Sequence, residues 1–233
     1  MDELGPPLTR RIRPGIDRRL VKLRAKLLPP RLRSAKQLAR EARQRGAMQK
    51  PTELSRLLRL LRDRPPRTIV EIGTAAGGTL YAFCQVAPES SLIISVDLPG
   101  GEFGGGYSEE QIPSMRAFAR RDQSLHLLRR DSHDESTRQA VLSILAGRRI
   151  DFLFIDGDHS YEGVAKDFEM YGPLVANGGV IAFHDIVPHP KLPECEVDRF
   201  WDDIKHKYPH HEYVQPGDWG WGPWGGIGVL EIR

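Results

Sequence analysis

Apolar residues near the start of the chain recur with helical spacing. Ile16, Leu20, Leu23 and Leu27 fall at i, i+4, i+7 and i+11 and form one stripe, with Arg18, Arg19, Lys22 and Lys26 facing elsewhere. Pro29-Pro30 ends this basic amphipathic helix. A second helical pattern, through Leu32, Ala35, Leu38, Ala39 and Ala42, runs to Gly46, a candidate C-terminal cap. A third takes Thr52 as its N-cap, sets Leu54, Leu57, Leu58 and Leu61 on one face and stops before Pro65-Pro66. Beyond it, short and nearly continuous apolar runs at 68–72, 92–97, 125–129, 150–156 and 179–184 read as strands covered on both faces. Helical stretches at 78–86, 109–121, 135–146, 161–175 and 196–208 separate or follow them. Five β-α repeats predict a doubly wound, mostly parallel α/β sheet. Two last strands, near 212–215 and 227–232, are joined by a Gly/Trp-rich loop and predict an antiparallel addition at one edge.

Composition adds a boundary. Residues 1–50 hold 15 Lys and Arg against 4 Asp and Glu, whereas 51–233 hold 19 against 27. The reading is a basic helical extension over 1–50 and an α/β domain over 51–233. The extension either docks on anionic lipid or an acidic partner through residues 10–50, or packs its leucines on the main domain or a second subunit. The longest apolar runs are strand-length, short of the ~20 residues a membrane-spanning helix needs. The Met-Asp-Glu-Leu start lacks a secretory signal pattern. Cys84 and Cys195 have neither zinc-ligand nor redox-pair spacing, so both are read as small hydrophobes in a reducing cytoplasm.

In an open α/β sheet the ligand sits beyond the carboxyl ends of the strands. The first strand leads into Glu71-Ile-Gly-Thr-Ala-Ala-Gly-Gly-Thr79, a turn with close backbone approach at Gly73 and Gly77 followed by a helix N-terminus. Ala75 breaks the G-x-G-x-x-G dinucleotide pattern, which argues against NAD-dependent chemistry. The second strand ends in Asp97, where nucleoside-binding domains keep an acid for the ribose hydroxyls. The third ends in Arg130-Asp131-Ser132, the fourth in Phe154-Ile-Asp-Gly-Asp-His-Ser-Tyr161, and the fifth in Phe183-His-Asp-Ile186. Five successive strands each end in an acid or a His/Asp pair.

The glycine segment, Asp97, Phe154-Ile-Asp-Gly-Asp-His-Ser-Tyr-Glu-Gly163 and Asn177-Gly-Gly-Val-Ile-Ala-Phe-His-Asp185 together resemble class I S-adenosylmethionine-dependent methyltransferases, in the branch of cephalosporin-hydroxylase-like and macrolide or sugar O-methyltransferases. The resemblance covers residues 52–233 and implies a Rossmann-like fold. It implies that Glu71, Gly73, Thr74 and Gly77 hold the methionine part of S-adenosylmethionine, Asp97 the ribose, and Asp131 with Ser132 the adenine. In metal-dependent relatives a divalent ion, typically Mg2+, would sit on Asp156, His184 and Asp185. Magnesium prefers oxygen ligands, so His184 points to a softer ion or to none. The implied reaction is methyl transfer to a hydroxyl of a small molecule, a natural product or sugar, with Asp156 or His159 as catalytic base. Two glycine-rich covers, 98–107 and 216–226, would close the site, the second presenting Trp219, Trp221 and Trp224. A homo-oligomer is expected and no specific nucleic-acid partner. The alternative is a cofactor-binding module that docks on a membrane or anionic partner through its basic arm.

Overall fold

The computed structural model describes residues 33–100, 106–215 and 224–233. The expected basic helix through Ile16–Leu27, residues 101–105 of the 98–107 cover, and Trp219 and Trp221 lie outside the described residues. The chain divides into two units, Met1–Arg33 and Ser34–Arg233. This boundary lies well before the change in charge at residue 50. The physical reason is visible in the helix α1 (Ala35–Gln44), whose Ala35, Leu38, Ala39 and Ala42 are buried while Lys36 and Arg40 face outward. A basic outer face is compatible with an apolar inner one. Ser34 caps α1 reciprocally with Gln37, the hydroxyl accepting from the Gln37 amide at 3.2 Å and the Gln37 side chain accepting from the Ser34 amide at 2.7 Å.

The remaining elements are α2 (Pro51–Asp63), β1 (Thr68–Ile72), α3 (Gly78–Val86), β2 (Leu92–Asp97), α4 (Ile112–Arg116), β3 (Ser124–Arg129), α5 (Glu135–Leu145), β4 (Ile150–Ile155), α6 (Tyr161–Tyr171), β5 (Val175–Val187), α7 (Val197–Ile204), β6 (His210–Tyr213) and β7 (Gly225–Glu231). One seven-stranded sheet runs in the order β3-β2-β1-β4-β5-β7-β6. Only β7 runs against its neighbours β5 and β6. The expected doubly wound sheet with an antiparallel edge is present. No helix among the described residues is long and apolar enough to cross a membrane.

Alternation along the strands divides the core. Ile69, Ile93, Phe152, Phe154, Val180 and Val229 pack under α1, α2 and α3, while Val70, Ile94, Leu153, Ile181, Phe183 and Leu230 meet α5, α6 and α7. The period of two therefore places Glu71 on the α3 side of β1, although it is completely buried.

Several boundaries differ from the pattern-based reading. The N-cap of α2 is Lys50 rather than Thr52, because Pro51 occupies the first helical position, where its fixed φ fits and its missing N–H costs nothing. The stretch 109–121 gives a short 3-10 turn and the brief α4, because the residues after it fold back to cap α3: Arg120 Nε donates to the Cys84 carbonyl at 3.1 Å and Gln123 Nε2 donates to it at 3.0 Å. Helix α6 stops at Tyr171, ahead of Gly172-Pro173, and β5 starts earlier and runs later than the apolar run at 179–184.

Candidate functional site

The carboxyl ends of β1, β2, β4 and β5 meet around the glycine segment. Gly73 has φ +83° and lies so close to β4 that an added Cβ would be 1.9 Å from the Asp156 carbonyl oxygen. Only glycine fits there. Ala75 also takes a left-handed φ of 45°, a conformation a small side chain tolerates at some cost. Gly77 caps α3 in the left-handed region with Met115 and Phe118 packed over it.

Asp97 organises this turn. Its Oδ2 accepts the Thr74 amide at 3.0 Å and the Ala75 amide at 2.6 Å. The carboxylate thus folds the glycine segment around itself, and burial pushes its pKa upward against those hydrogen bonds. The Thr74 hydroxyl meets that of Ser95 in a short hydrogen bond. Beneath the turn, burial raises Glu71 to about 8, with the Asp156 and Asp97 charges adding to the shift. The Thr79 and Thr74 hydroxyls oppose this shift, but neither makes a well-formed hydrogen bond to the Glu71 oxygens. Tyr107, the one aromatic of the first glycine-rich cover within the described residues, is buried near Asp97 with its hydroxyl unpartnered.

Asp131 and Ser132 follow β3 as expected, with modest local roles. Asp131 Oδ1 accepts the amide of His133 at 2.8 Å, and the Ser132 carbonyl accepts the Tyr171 hydroxyl at 2.7 Å.

Asp156, His159, His184 and Asp185 do come together. His184 Nδ1 is 3.2 Å from Asp156 Oδ1 and 3.2 Å from Asp185 Oδ2. His159 lies between the same carboxylates, Nε2 at 3.5 Å from Asp156 Oδ1 and Nδ1 at 3.5 Å from Asp185 Oδ2. Adjacent strand residues normally point to opposite faces. Here β5 breaks register against β7 between His184 and Val187, and Asp185 adopts φ 61°, so both side chains reach one cluster. That local strain is an observed outlier at a prospective site.

Charge in the cluster is balanced by proximity. Burial disfavours the charged form of His159, but Asp156, Cys195 and Asp185 outweigh it and hold its pKa up to about 10. Burial likewise opposes charge on His184, and Asp185 with Asp156 reverses the effect, holding it well above the usual imidazole value. Asp185 is held below the usual carboxylate range, its burial being overcome by His184 and His159. Asp185 Oδ1 and His184 Nε2 are nonetheless buried without a hydrogen-bond partner.

As a magnesium site the triad Asp156, His184 and Asp185 fits poorly. Its atoms are close enough to share an ion. However, magnesium demands oxygen ligands in near-octahedral array, and one of these three donors is a ring nitrogen.

Several site residues carry no sequence motif. Gln49 Nε2 donates to Asp156 Oδ2 at 2.6 Å across 107 positions of chain. Lys50 and Glu53, both buried, form an ion pair at 3.8 Å. Lys50 Nζ also donates to the Trp224 carbonyl, while Glu53 accepts the Gln215 amide at 2.7 Å and the Gly226 amide at 3.2 Å. The pair thereby ties both flanks of the Gly/Trp-rich loop to α2. Trp224 sits near His184 and His189, with ring centroids 6.4 and 5.6 Å away. Cys195 lies beside His159, whose carbonyl accepts the Glu196 amide at 2.8 Å. The signal for Gln49, Lys50 and Glu53 was a polar Gln-Lys-Pro-Thr-Glu run at a helix start, which solvent exposure would explain equally well.

The chain is similar to known proteins in family and in fold. Residues 70–186 match a family model described as a methyltransferase domain. An uncharacterized protein of Acanthamoeba polyphaga mimivirus, R132, is 35% identical over 154 residues, covering 65% of this chain and 67% of that protein. Another uncharacterized protein, y4gI of Sinorhizobium fredii, is 32% identical over 124 residues, 52% of this chain but only 13% of its own length. Among solved structures, the O-methyltransferase TomG from Streptomyces achromogenes, involved in tomaymycin synthesis and crystallised with S-adenosylmethionine, superposes with a TM-score of 0.57 at 18% identity, covering 92% of this chain and 96% of that one. At that identity the likeness is one of fold.

Proposed function

Since the chain belongs to the methyltransferase-domain family, we propose that it transfers the methyl group of S-adenosylmethionine to a hydroxyl of a small molecule, a natural product or sugar. The observation that carries the reading is Asp97 at the end of β2, whose Oδ2 gathers the Thr74 and Ala75 amides; the ribose hydroxyls are assigned to its Oδ1.

The residues fit the donor. The turn at Gly73 leaves no room for a side chain, and Glu71, buried with unpartnered oxygens, supplies acceptors beneath it. In this reading Glu71, Gly73, Thr74 and Gly77 line the amino-acid end, Asp97 the ribose, and Asp131 with Ser132 the adenine edge. Tyr107 joins them beside Asp97. The donor supplies an electrophilic methyl group on a sulfonium cation. Everything else falls to the chain: hold the acceptor oxygen in line with that carbon, exclude water and remove the hydroxyl proton.

His159 is the proton acceptor in this account and Asp156 orients it. Asp156 is itself held by Gln49, and Asp185 faces the other ring nitrogen, so the ring is approached from two sides. With a pKa of about 10, His159 is protonated at neutral pH in the free protein. His159 must lose that proton before it can act as base, and a cation held near the ring would favour the neutral form this requires. Because the His184 nitrogen makes the Asp156, His184 and Asp185 set a poor magnesium site, no step is assigned to that ion.

The test uses the full chain with methyl-labelled S-adenosylmethionine and a panel of hydroxylated small molecules. His159→Ala should lower kcat by ~10²–10⁴-fold while donor affinity is retained. Failure of the folded wild-type protein to bind S-adenosylmethionine would end the reading.

A further inference from the structure

The cluster at the end of β5 contains a second group of donors, which shares only Asp185 with the triad considered for magnesium. A His159 ring nitrogen, an Asp185 carboxylate oxygen and Cys195 Sγ all lie within 4.8 Å of one another. Cys195 is a free, buried thiol, so its sulfur is not committed to a disulfide. The loop that carries it is fixed to the site through the hydrogen bond from the Glu196 amide to the His159 carbonyl.

Three features suit this group to an ion. First, His159 Nδ1 and Asp185 Oδ2 are 3.5 Å apart. Two ligands of a tetrahedral ion with bonds of ~2.0–2.1 Å lie about 3.3 Å apart, so these atoms need shift little. Second, the Asp185 carboxylate is buried and its hydrogen bonding is incomplete, Oδ1 having no partner, so the group holds acceptor capacity that burial makes costly to leave unused. Third, when Nδ1 faces the ion, Nε2 faces Asp156 Oδ1 at 3.5 Å. A ligating histidine typically donates its other ring N–H to a carboxylate, which fixes tautomer and orientation. Asp156 already stands in that place.

We propose that His159 Nδ1, Asp185 and Cys195 Sγ form a site for a borderline divalent transition-metal ion, with zinc the best match, and that occupancy inhibits methyl transfer by engaging the base. Nitrogen, oxygen and thiolate donors together suit zinc and discriminate against magnesium or calcium. Binding displaces the thiol proton of Cys195 and the Nδ1 proton of His159 to solvent, and no redox change is involved. With Nδ1 on the ion and Nε2–H donated to Asp156, the ring has no lone pair left to accept the acceptor's proton. The inhibitory consequence rests on the proposed role of His159. The site itself does not.

Chelator-treated full-length protein is titrated with Co2+ and read by absorption, with no substrate present. The expected spectrum has visible ligand-field bands and a near-ultraviolet thiolate-to-cobalt band, saturating at one ion per chain and displaced by Zn2+ but not by excess Mg2+. Cys195→Ala should abolish the thiolate band and weaken binding by about tenfold or more. Measured against its own metal-free turnover, this variant should lose the inhibition that stoichiometric Zn2+ imposes on the wild-type protein. Absence of the thiolate band in the wild-type protein, or its persistence in folded Cys195→Ala, overturns the site. Equal Zn2+ inhibition of both proteins overturns its regulatory role. If the protein fails to bind S-adenosylmethionine yet gives the cobalt spectrum, the methyltransferase reading fails and the metal site stands.

Discussion

Replacing Asp97 by Asn removes one charge and almost no volume, and its effect can be worked from two hydrogen bonds. Oδ2 accepts backbone amides at 2.6 and 3.0 Å. Hydrogen bonds to a charged acceptor are worth ~1.5–3 kcal/mol and neutral ones ~0.5–1.5 kcal/mol, so the exchange loses about 1 kcal/mol per bond, or about 2 kcal/mol at the turn. If the Asn oxygen keeps the two amides, its NH2 group takes the position of the oxygen assigned to the ribose and presents a donor where an acceptor is needed. Together these weaken S-adenosylmethionine binding by about 2–3 kcal/mol, roughly 30- to 150-fold in Kd. Asp97→Ala goes further, because both amides lose their partner, and should abolish measurable binding. The assay is titration calorimetry at pH 8, with thermal unfolding of each variant confirming that it is folded. Binding by folded Asp97→Asn within about threefold of wild type, a difference of under ~1 kcal/mol, would refute the reasoning.

Other expectations follow from buried charge. Glu71 has a folded-state pKa of about 8 against an ordinary value of 4.5, so its contribution to stability is complete at low pH and is lost as pH rises from about 5 through 8. Thermal midpoints of the ligand-free protein should fall over that range, with Glu71→Gln flattening the slope; parallel slopes would contradict the assignment. The essential base is protonated in the free enzyme at neutral pH, so kcat/KM should rise with pH toward about 10, and a plateau already reached at pH 7 would exclude His159 as that base. Lys50→Met removes the partner of buried Glu53 and should cost ~3–5 kcal/mol in urea unfolding, with Glu53→Gln in the same chain restoring part of it.

The sheet was legible because apolar runs at 68–72, 92–97 and 150–156 are long enough, and flanked by helical patterns regular enough, to exclude other fold classes. The strand-end acids were legible for the same reason: once the strands are placed, position alone brings Glu71, Asp97 and Asp156 to one end of the sheet. That His184 and Asp185 face the same way was not legible, since it depends on a register break and a left-handed Asp that alternation alone would deny. Gln49 and Cys195 were hidden differently. Each is brought to the cluster by a loop whose course is set by hydrogen bonds that apolar patterning does not report, local ones from Arg43 to the carbonyls of Ala47 and Met48 in one case and a long-range one between Glu196 and His159 in the other. The basic outer face of α1 led the charge pattern to place it outside the domain, although its buried face is part of the core. Charge reports what meets solvent, and domain membership is decided by what does not.

A crystal structure of the full chain with S-adenosylhomocysteine tests the central claim most directly. Ribose hydroxyls are expected on Asp97 Oδ1, the amino-acid end over Gly73 and Gly77, and the sulfur turned toward Asp156 and His159. Product bound elsewhere, or a nucleoside that leaves Asp97 untouched, would contradict it.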